Sequence, residues 1–325
     1  MKTIRINYIG FWSNFNPRNN LFYNILSQRY QVEISEQPDF IFCSCLGKPF
    51  EYTRYNCVRI QYIGENMSPD FTAFDYAIGF DYINFQDRYI RYPLSIYKYS
   101  GEYSFRGGLS EEAARKILQN KQLFCNFVYG HKSNSQKREQ LFDVLNAYKR
   151  VESAGTYMNN QPDGKNVFGA TKAELLKKSK FTIAGESVIY PGFNTEKIKH
   201  AFENHSIPIY SGDPLIHKMY NPKCFISLND FCSIKDLVDR VIEIDNNDKL
   251  YIEMMMEPIT ITENYCFTQY QLLKDFLFNI FEQSPENAFR RMTCFKSAEH
   301  ETYLKEYSKF ANSFEYKIWK KLRKP

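Results

Sequence analysis

The sequence is poor in the features that would build a metal centre or a disulfide framework. Its eight cysteines, Cys43, Cys45, Cys57, Cys125, Cys224, Cys232, Cys266 and Cys294, include no Cys-x-x-Cys pair. Most lie in apolar runs such as FIFCSC (40–45), where a reduced thiol behaves as a small hydrophobe. The expectation is a reducing compartment without disulfides. The five histidines, His131, His200, His205, His217 and His300, lack metal-ligand spacing, so no metal is expected. No apolar run approaches the ~18–20 residues of a membrane-spanning helix. The opening MKTIRINYIGFW alternates apolar and polar residues and is too short in its apolar core for a cleavable leader. GKNVFGATK (164–172) lacks the closing Gly-Lys-Ser/Thr of a phosphate-binding loop. Net charge is +5, and Lys317, Lys320, Lys321, Arg323 and Lys324 against Glu315 account for +4 of it. The remainder is nearly neutral, which excludes a nucleic-acid-binding face and leaves a basic tail to explain.

What is present is an ordinary globular composition, 43% hydrophobic and 24% charged, in 325 residues. That length fits two domains. Aromatics reach 17%, enough to line clefts as well as a core. Short apolar runs at 3–9, 31–34, 39–44, 57–63 and 75–79 read as strands, with a helix over 19–29. Residues 98–112 (KYSGEYSFRGGLSEE) read as a linker. A second series follows: strands at 122–129, 180–185, 207–210 and 224–228, and helices at 134–149, 171–178, 195–204, 233–245 and 265–283. Strands interleaved with helices predict two α/β lobes with parallel sheets. Ligands of such sheets bind beyond the carboxyl ends of the strands.

The densest stretch is GESVIYPGFNTEKIKHAFENHSIPIYSGDP (185–214). A strand ends near Ala184, a turn follows at Pro191-Gly192, and Thr195 caps a helix beginning Glu196-Lys197. A helix start suits a phosphate, Lys197 can neutralise a diphosphate, and Glu196 can accept from ribose hydroxyls. By pattern alone the same residues equally describe a helix start with a solvated lysine.

GFNTEKIKHAFENHSIPIYSGDP strongly resembles the α-1,3-fucosyltransferase signature of glycosyltransferase family ten. KFTIAGES before it and MYNPKCFISLNDF after it resemble the flanking segments of that family. Upstream, YIGENMSPDFTAFDYAIGFD (62–81) and DRYIRYPL (87–94) are similar to the bacterial members. The likeness spans roughly residues 20–95 and 122–282. It implies a GT-B architecture, two facing Rossmann-like lobes, here with a C-terminal helical tail. It also implies inverting transfer of L-fucose from GDP-fucose, without metal or other cofactor, to a hydroxyl of a glycan. No Asp-x-Asp motif interrupts that expectation.

Residue by residue, the resemblance makes Glu65 the base and Arg138 a diphosphate ligand alongside Lys197. It sets Glu196 on the ribose and Glu186 near the sugar, where the alternative is a hydrogen bond fixing the next loop. Ser187, Phe193 and Asn194 stand at donor-binding positions, but the family carries asparagine, tyrosine and valine there. Ser211 replaces a tryptophan. Leu304, Tyr307, Ala311, Phe314 and Ile318 recur at helical spacing ahead of Trp319 and the basic residues. That pattern suits an anionic membrane surface, or alternatively a solvated helix or a contact with a lobe. The expected divisions are 1–105 for acceptor, 116–285 for GDP-fucose and 286–325 for the tail. The expected setting is cytoplasmic, peripheral on the inner membrane face, in α-1,3 fucosylation of a cell-surface polysaccharide or lipopolysaccharide containing N-acetylglucosamine or glucose. The alternatives are a transferase for another GDP-sugar and a non-catalytic glycan-binding protein.

Overall fold

A computed structural model describes residues 1–97, 108–293 and 295–322. The chain forms two compact units. The first holds Met1–Tyr92, Tyr97 and the chain from Thr268 onward; the second holds Pro93–Ile96 and the stretch ending at Phe267.

The first unit is built on six parallel strands: β1 (Thr3–Ile9), β2 (Gln31–Ile34), β3 (Phe40–Cys43), β4 (Val58–Tyr62), β5 (Tyr76–Gly79) and β6 (Tyr89–Arg91). Their order is β2-β1-β3-β4-β5-β6. β3 and β4 are buried along their whole length, as central strands of a parallel sheet covered on both faces must be. Helix α1 (Leu21–Leu26) is capped by the Asn20 side chain and buries Leu21, Phe22, Ile25 and Leu26. Phe22 stacks on Phe42 at 4.7 Å.

The second unit carries β7 (Leu123–Phe127), β8 (Val151–Ser153), β9 (Ser179–Gly185), β10 (Ile207–Ser211) and β11 (Ile226–Ser227), all parallel in the order β11-β10-β9-β7-β8. Its helices are α2 (Glu111–Gln119), α3 (Lys137–Tyr148), α4 (Gly169–Lys178), α5 (Glu196–Glu203), α6 (Ile234–Asp245) and α7 (Asp248–Met256). The linker expected over 98–112 lies outside the described residues from 98 to 107. Its end is already helix, because the Ser110 hydroxyl accepts from the Ala113 N–H and caps α2.

Helix α8 (Tyr265–Glu282) begins the return to the first unit, and α9 (Pro285–Ala288), α10 (Ser297–Ala311) and α11 (Phe314–Leu322) complete it. Phe281 of α8 packs on Phe40 at 4.4 Å and Phe278 on Tyr30 at 5.9 Å. Residues 268–285 therefore belong with the first unit, not with the second as the boundary at 285 anticipated.

The tail also differs from the expected free amphipathic stripe. Arg59, in the middle of β4, is fully buried, and both its terminal nitrogens donate to Glu301 of α10, at 2.9 and 2.5 Å. Arg291 donates to Asp75 at 2.5 Å, and Asp75 also accepts from the backbone N–H groups of Arg59, Arg290 and Arg291. Four charges thus clamp the C-terminal segment onto the sheet. Leu304 and Ala311 are buried, Leu304 among Ile41, Cys43 and Phe74. α11 keeps Phe314, Ile318, Trp319 and Leu322 exposed, and α10 exposes Tyr303 and Phe310 on its outer face. The side chains of Lys317 and Lys320, and residues Arg323 and Lys324, lie outside the described residues.

Removing one partner of a buried ion pair leaves the other charge without compensation. Glu301→Ala is expected to cost about 3–5 kcal/mol, read as a lower urea midpoint. Burial works to raise the Glu301 carboxyl, but the Arg59 hydrogen bonds and the charge of Arg291 hold it below the usual carboxylate range. Its stabilisation is therefore complete above the unfolded value of about 4.3 and is lost as pH falls through the lowered folded value. Glu301→Gln should flatten that acid limb in melts from neutral to acidic pH; an unchanged limb would contradict this account of the clamp.

Candidate active site

In the second unit, the carboxyl ends of β9 and β10 bring most of the signature residues together. The Glu186 N–H donates to the Ser211 carbonyl at 2.7 Å, so Glu186 extends β9 by one ladder bond. Its side chain is fully buried. Oε1 accepts from the Thr195 N–H at 2.8 Å, and both carboxylate oxygens accept from the Thr195 hydroxyl. The Lys197 ammonium lies 3.1 Å from Glu186 Oε2 and donates to Thr195 Oγ1 at 2.8 Å. Thr195 is the N-cap residue just ahead of α5, with extended backbone, but its hydroxyl makes no capping bond. It serves Glu186 and Lys197 instead, a difference from the simple cap expected.

The electrostatics follow from this packing. Burial pushes the Glu186 carboxyl up, against the Lys197 charge and the Thr195 hydrogen bonds. Burial works to lower Lys197, but Glu186 and Glu196 hold it above the usual lysine range. Burial works to raise Glu196, but Lys197, its own helical N–H, His200 and Lys172 hold it well below the usual carboxylate range. The result is a lysine that stays charged, retains 22% exposure, and sits at the start of a helix. Such a group can meet an anion. On the neighbouring helix face Lys172 Nζ lies 3.4 Å from His200 Nδ1. Burial, and then Lys172, bring His200 down to about 4, so it is neutral at pH 7 and can accept from that lysine.

The turn before α5 is held by Asp213. This buried carboxylate accepts from the Gly192 N–H at 2.7 Å, from Asn194 Nδ2 at 2.8 Å and from the Leu215 N–H at 2.8 Å. Gly192 has φ +85°, which any side chain would strain. Asn194 also accepts from the Ser95 hydroxyl at 2.5 Å and donates to the Gly192 carbonyl at 3.0 Å. Both it and Phe193 are buried. These two candidate donor contacts therefore pack inside the turn. Ser187 is half-buried, and its carbonyl accepts from the N–H groups of Asn134 and Ser135.

Arg138, on the first turn of α3, lies directly under this strand end. A Cβ added to Gly185 would fall 2.6 Å from Arg138 Cβ, so only glycine fits there. The guanidinium stacks 3.9 Å from the Tyr129 ring, donates to the His131 carbonyl and is joined to Glu139 at 3.3 Å. Glu139 in turn accepts from the Ser133 N–H and hydroxyl at 2.7 and 2.6 Å, fixing the loop ahead of α3. Sequence reasoning missed Asp213, Tyr129, Glu139, Lys172 and His200. Asp213 alone had a visible signal, its place in the IPIYSGDP segment. Ser211 ends β10 with a buried hydroxyl that has no partner among the described residues.

Glu65 belongs to the first unit. It sits in the exposed loop after β4, and its carbonyl accepts from the Met67 N–H at 2.8 Å. A carboxylate on a strand-end loop is placed where a ligand can reach it.

Two family descriptions match this chain: Alpha-(1,3)-fucosyltransferase FucT N-terminal domain over residues 6–98, and Glycosyltransferase family 10 (fucosyltransferase) C-term over 118–256. The chain belongs to glycosyltransferase family 10. The second match encloses Arg138, Glu186, Ser187, Phe193, Asn194, Glu196 and Lys197, and the first encloses Glu65. The chain is similar to Alpha-(1,3)-fucosyltransferase FucT of Helicobacter pylori, 32% identical over 274 residues, 74% of this chain and 56% of that protein. It is also similar to 4-galactosyl-N-acetylglucosaminide 3-alpha-L-fucosyltransferase FUT6 of Homo sapiens, 29% identical over 118 residues, 35% of this chain and 31% of that protein. The chain thus spans little more than half the length of the Helicobacter relative. A crystal structure of an alpha1,3-fucosyltransferase superposes with TM-score 0.68 at 27% identity, covering 86% of this chain and 91% of that one. The same likeness holds for a complex with GDP-fucose, at TM-score 0.66 and 27% identity over 85% and 91% of the two chains. With its two parallel α/β units and C-terminal helices, this family 10 chain has the GT-B fold expected of it.

Proposed function

We propose that this family 10 chain transfers L-fucose from GDP-fucose to a hydroxyl of an N-acetylglucosamine- or glucose-containing glycan, with inversion and in α-1,3 linkage. The observation that carries the reading is the Lys197 ammonium, held beside Glu186 and Thr195 at the start of α5, beyond the carboxyl ends of β9 and β10. An inverting transfer needs positive charge on the departing diphosphate and a carboxylate on the acceptor hydroxyl. Lys197 and Arg138 supply the first, without metal, and the anomeric C–O bond breaks as the diphosphate leaves with its electron pair. Glu65 supplies the second, taking the hydroxyl proton as the acceptor oxygen bonds to the anomeric carbon. The transition state is oxocarbenium-like, as in glycoside hydrolysis. Glu196 receives the ribose hydroxyls. Glu186, with both oxygens engaged by Thr195 and Lys197, acts on the donor through Lys197 and is a positioning residue.

Ser187, Phe193 and Ser211 depart from the signature, which makes another GDP-sugar the reading to test against. GDP release with GDP-fucose and with GDP-mannose, each given N-acetyllactosamine, separates them. Release with GDP-fucose alone supports the proposal; release with GDP-mannose alone overturns the donor assignment. Absence of release with either donor favours a glycan-binding protein.

The proposed setting is the inner face of the cytoplasmic membrane, in synthesis of a surface polysaccharide or lipopolysaccharide. Among the described residues no helix is long and apolar enough to cross a membrane. Contact with an anionic surface falls to α11, whose Phe314, Ile318 and Leu322 are exposed beside a basic terminus. A chain ending at Asn312 keeps the α10 clamp and loses α11. It should stay in the supernatant with phosphatidylglycerol vesicles that pellet the full chain, with transfer to soluble acceptor retained. Equal pelleting of the two would contradict the membrane role.

A further inference from the structure

In the second unit, a small cavity of about 20 Å³ lies beside Lys197, where helices α4 and α5 pack on the sheet. Asn126 and Thr182 border it from β7 and β9, and Lys172, Lys197 and His200 border it from the helices. Asn126 is fully buried, and its Nδ2 donates to the Phe181 carbonyl at 3.1 Å and to Thr182 Oγ1 at 2.8 Å. A carbonyl can only accept, so the Phe181 oxygen fixes which way this amide points. The remaining atom, Asn126 Oδ1, is buried and has no partner among the described residues. A buried acceptor in that state costs free energy until something donates to it. The cavity has room for one water, and the Lys172 ammonium on its wall has protons to give.

Lys172 stands on the first turn of α4, half-buried. Its ammonium donates to His200 Nδ1 at 3.4 Å and forms no direct ion pair among the described residues. His200 follows Glu196 by four residues, so the two share one face of α5. Lys172 thus faces the side of α5 that carries Glu196. Its charge favours the Glu196 carboxylate and opposes the Lys197 ammonium. The site has use for such a cation. Arg138 is joined to Glu139, and Lys197 is shared between Glu186 at 3.1 Å and Glu196 at 3.7 Å. A lysine shared between two carboxylates has little charge left for a diphosphate unless another cation balances one of them.

We propose that Lys172 is a positioning residue of the nucleotide site, a counter-charge to Glu196 that leaves Lys197 to the diphosphate and Glu196 to the ribose hydroxyls. His200 and the polar cavity at Asn126 hold its ammonium in place. This role rests on the proposed reading of Glu196 and Lys197 as nucleotide contacts, and it adds the group behind them.

The experiment compares GDP with 2′,3′-dideoxy-GDP, which lacks both ribose hydroxyls, by isothermal titration. Wild type should bind GDP about tenfold more tightly, because hydrogen bonds to a charged acceptor are worth that much. Lys172→Met should weaken GDP about tenfold and the dideoxy nucleotide much less, so that most of the preference disappears. Lys172→Gln keeps a donor for His200 without the charge and should behave as Lys172→Met does. Lys172→Arg keeps the charge and should recover the preference. With Glu196→Gln in place, Lys172→Met should cost no further preference. Melting temperatures confirm that each variant is folded. Recovery by Lys172→Gln, or a further loss of preference in the double variant, would overturn the counter-charge role. A folded Lys172→Met that keeps the wild-type preference in full would overturn the role of Lys172 alone. Wild type that binds the two nucleotides equally would overturn the ribose reading of Glu196, and this role with it.

Discussion

Lys197→Met is expected to weaken GDP binding by about 2–4 kcal/mol, roughly thirty- to a thousand-fold in Kd by isothermal titration. The size follows from what the ammonium holds. It is the cation nearest the fully buried Glu186 carboxylate, 3.1 Å away, and the same group is asked to meet the diphosphate. With it gone, Glu186 keeps only the Thr195 N–H and hydroxyl, and the helix start loses its positive charge. Lys197→Arg keeps the charge and should recover part of the affinity, because a guanidinium also binds phosphate oxygens. Titrations of both variants that match wild type would mean that the diphosphate docks elsewhere.

Glu65→Gln is expected to lower the transfer rate by about 10²–10⁴-fold, the usual range for loss of a positioned general base, with KM for GDP-fucose unchanged. Glutamine keeps the shape and hydrogen-bonding reach of the side chain but cannot take a proton. The exposed position of Glu65 on the loop after β4 makes the substitution structurally mild, so its melting temperature should match wild type. Steady-state GDP release in the presence of N-acetyllactosamine reads the effect. A loss below tenfold would remove Glu65 from the role of base.

The sequence carried the sheets well for a physical reason. Runs such as FIFC and VRIQY are apolar enough to be central parallel strands, and β3 and β4 are buried throughout. The strand β8 (Val151–Ser153) escaped notice because three residues give no period to read, and α2 because its cap at Ser110 closes a stretch rich in glycine and serine. The site was legible as a motif but not as a network. Nothing in KFTIAGES announces that Glu186 will spend both oxygens on Thr195 and Lys197, since that depends on the turn folded by Asp213. The tail misled most. Its apolar spacing resembles a surface-seeking helix, whereas Glu301 pairs with Arg59, 242 residues away, and carries Leu304 and Ala311 onto the sheet. Contacts between residues so distant in the chain leave no local trace. In VRIQY, however, an arginine amid apolar residues is itself a sign that a buried partner must exist.

The most direct measurement is the NMR structure of the product formed from GDP-fucose and N-acetyllactosamine. The account predicts a single fucose, in α linkage, on O3 of the N-acetylglucosamine, formed in step with GDP. Free fucose with no trisaccharide, or a β-linked product, would contradict it.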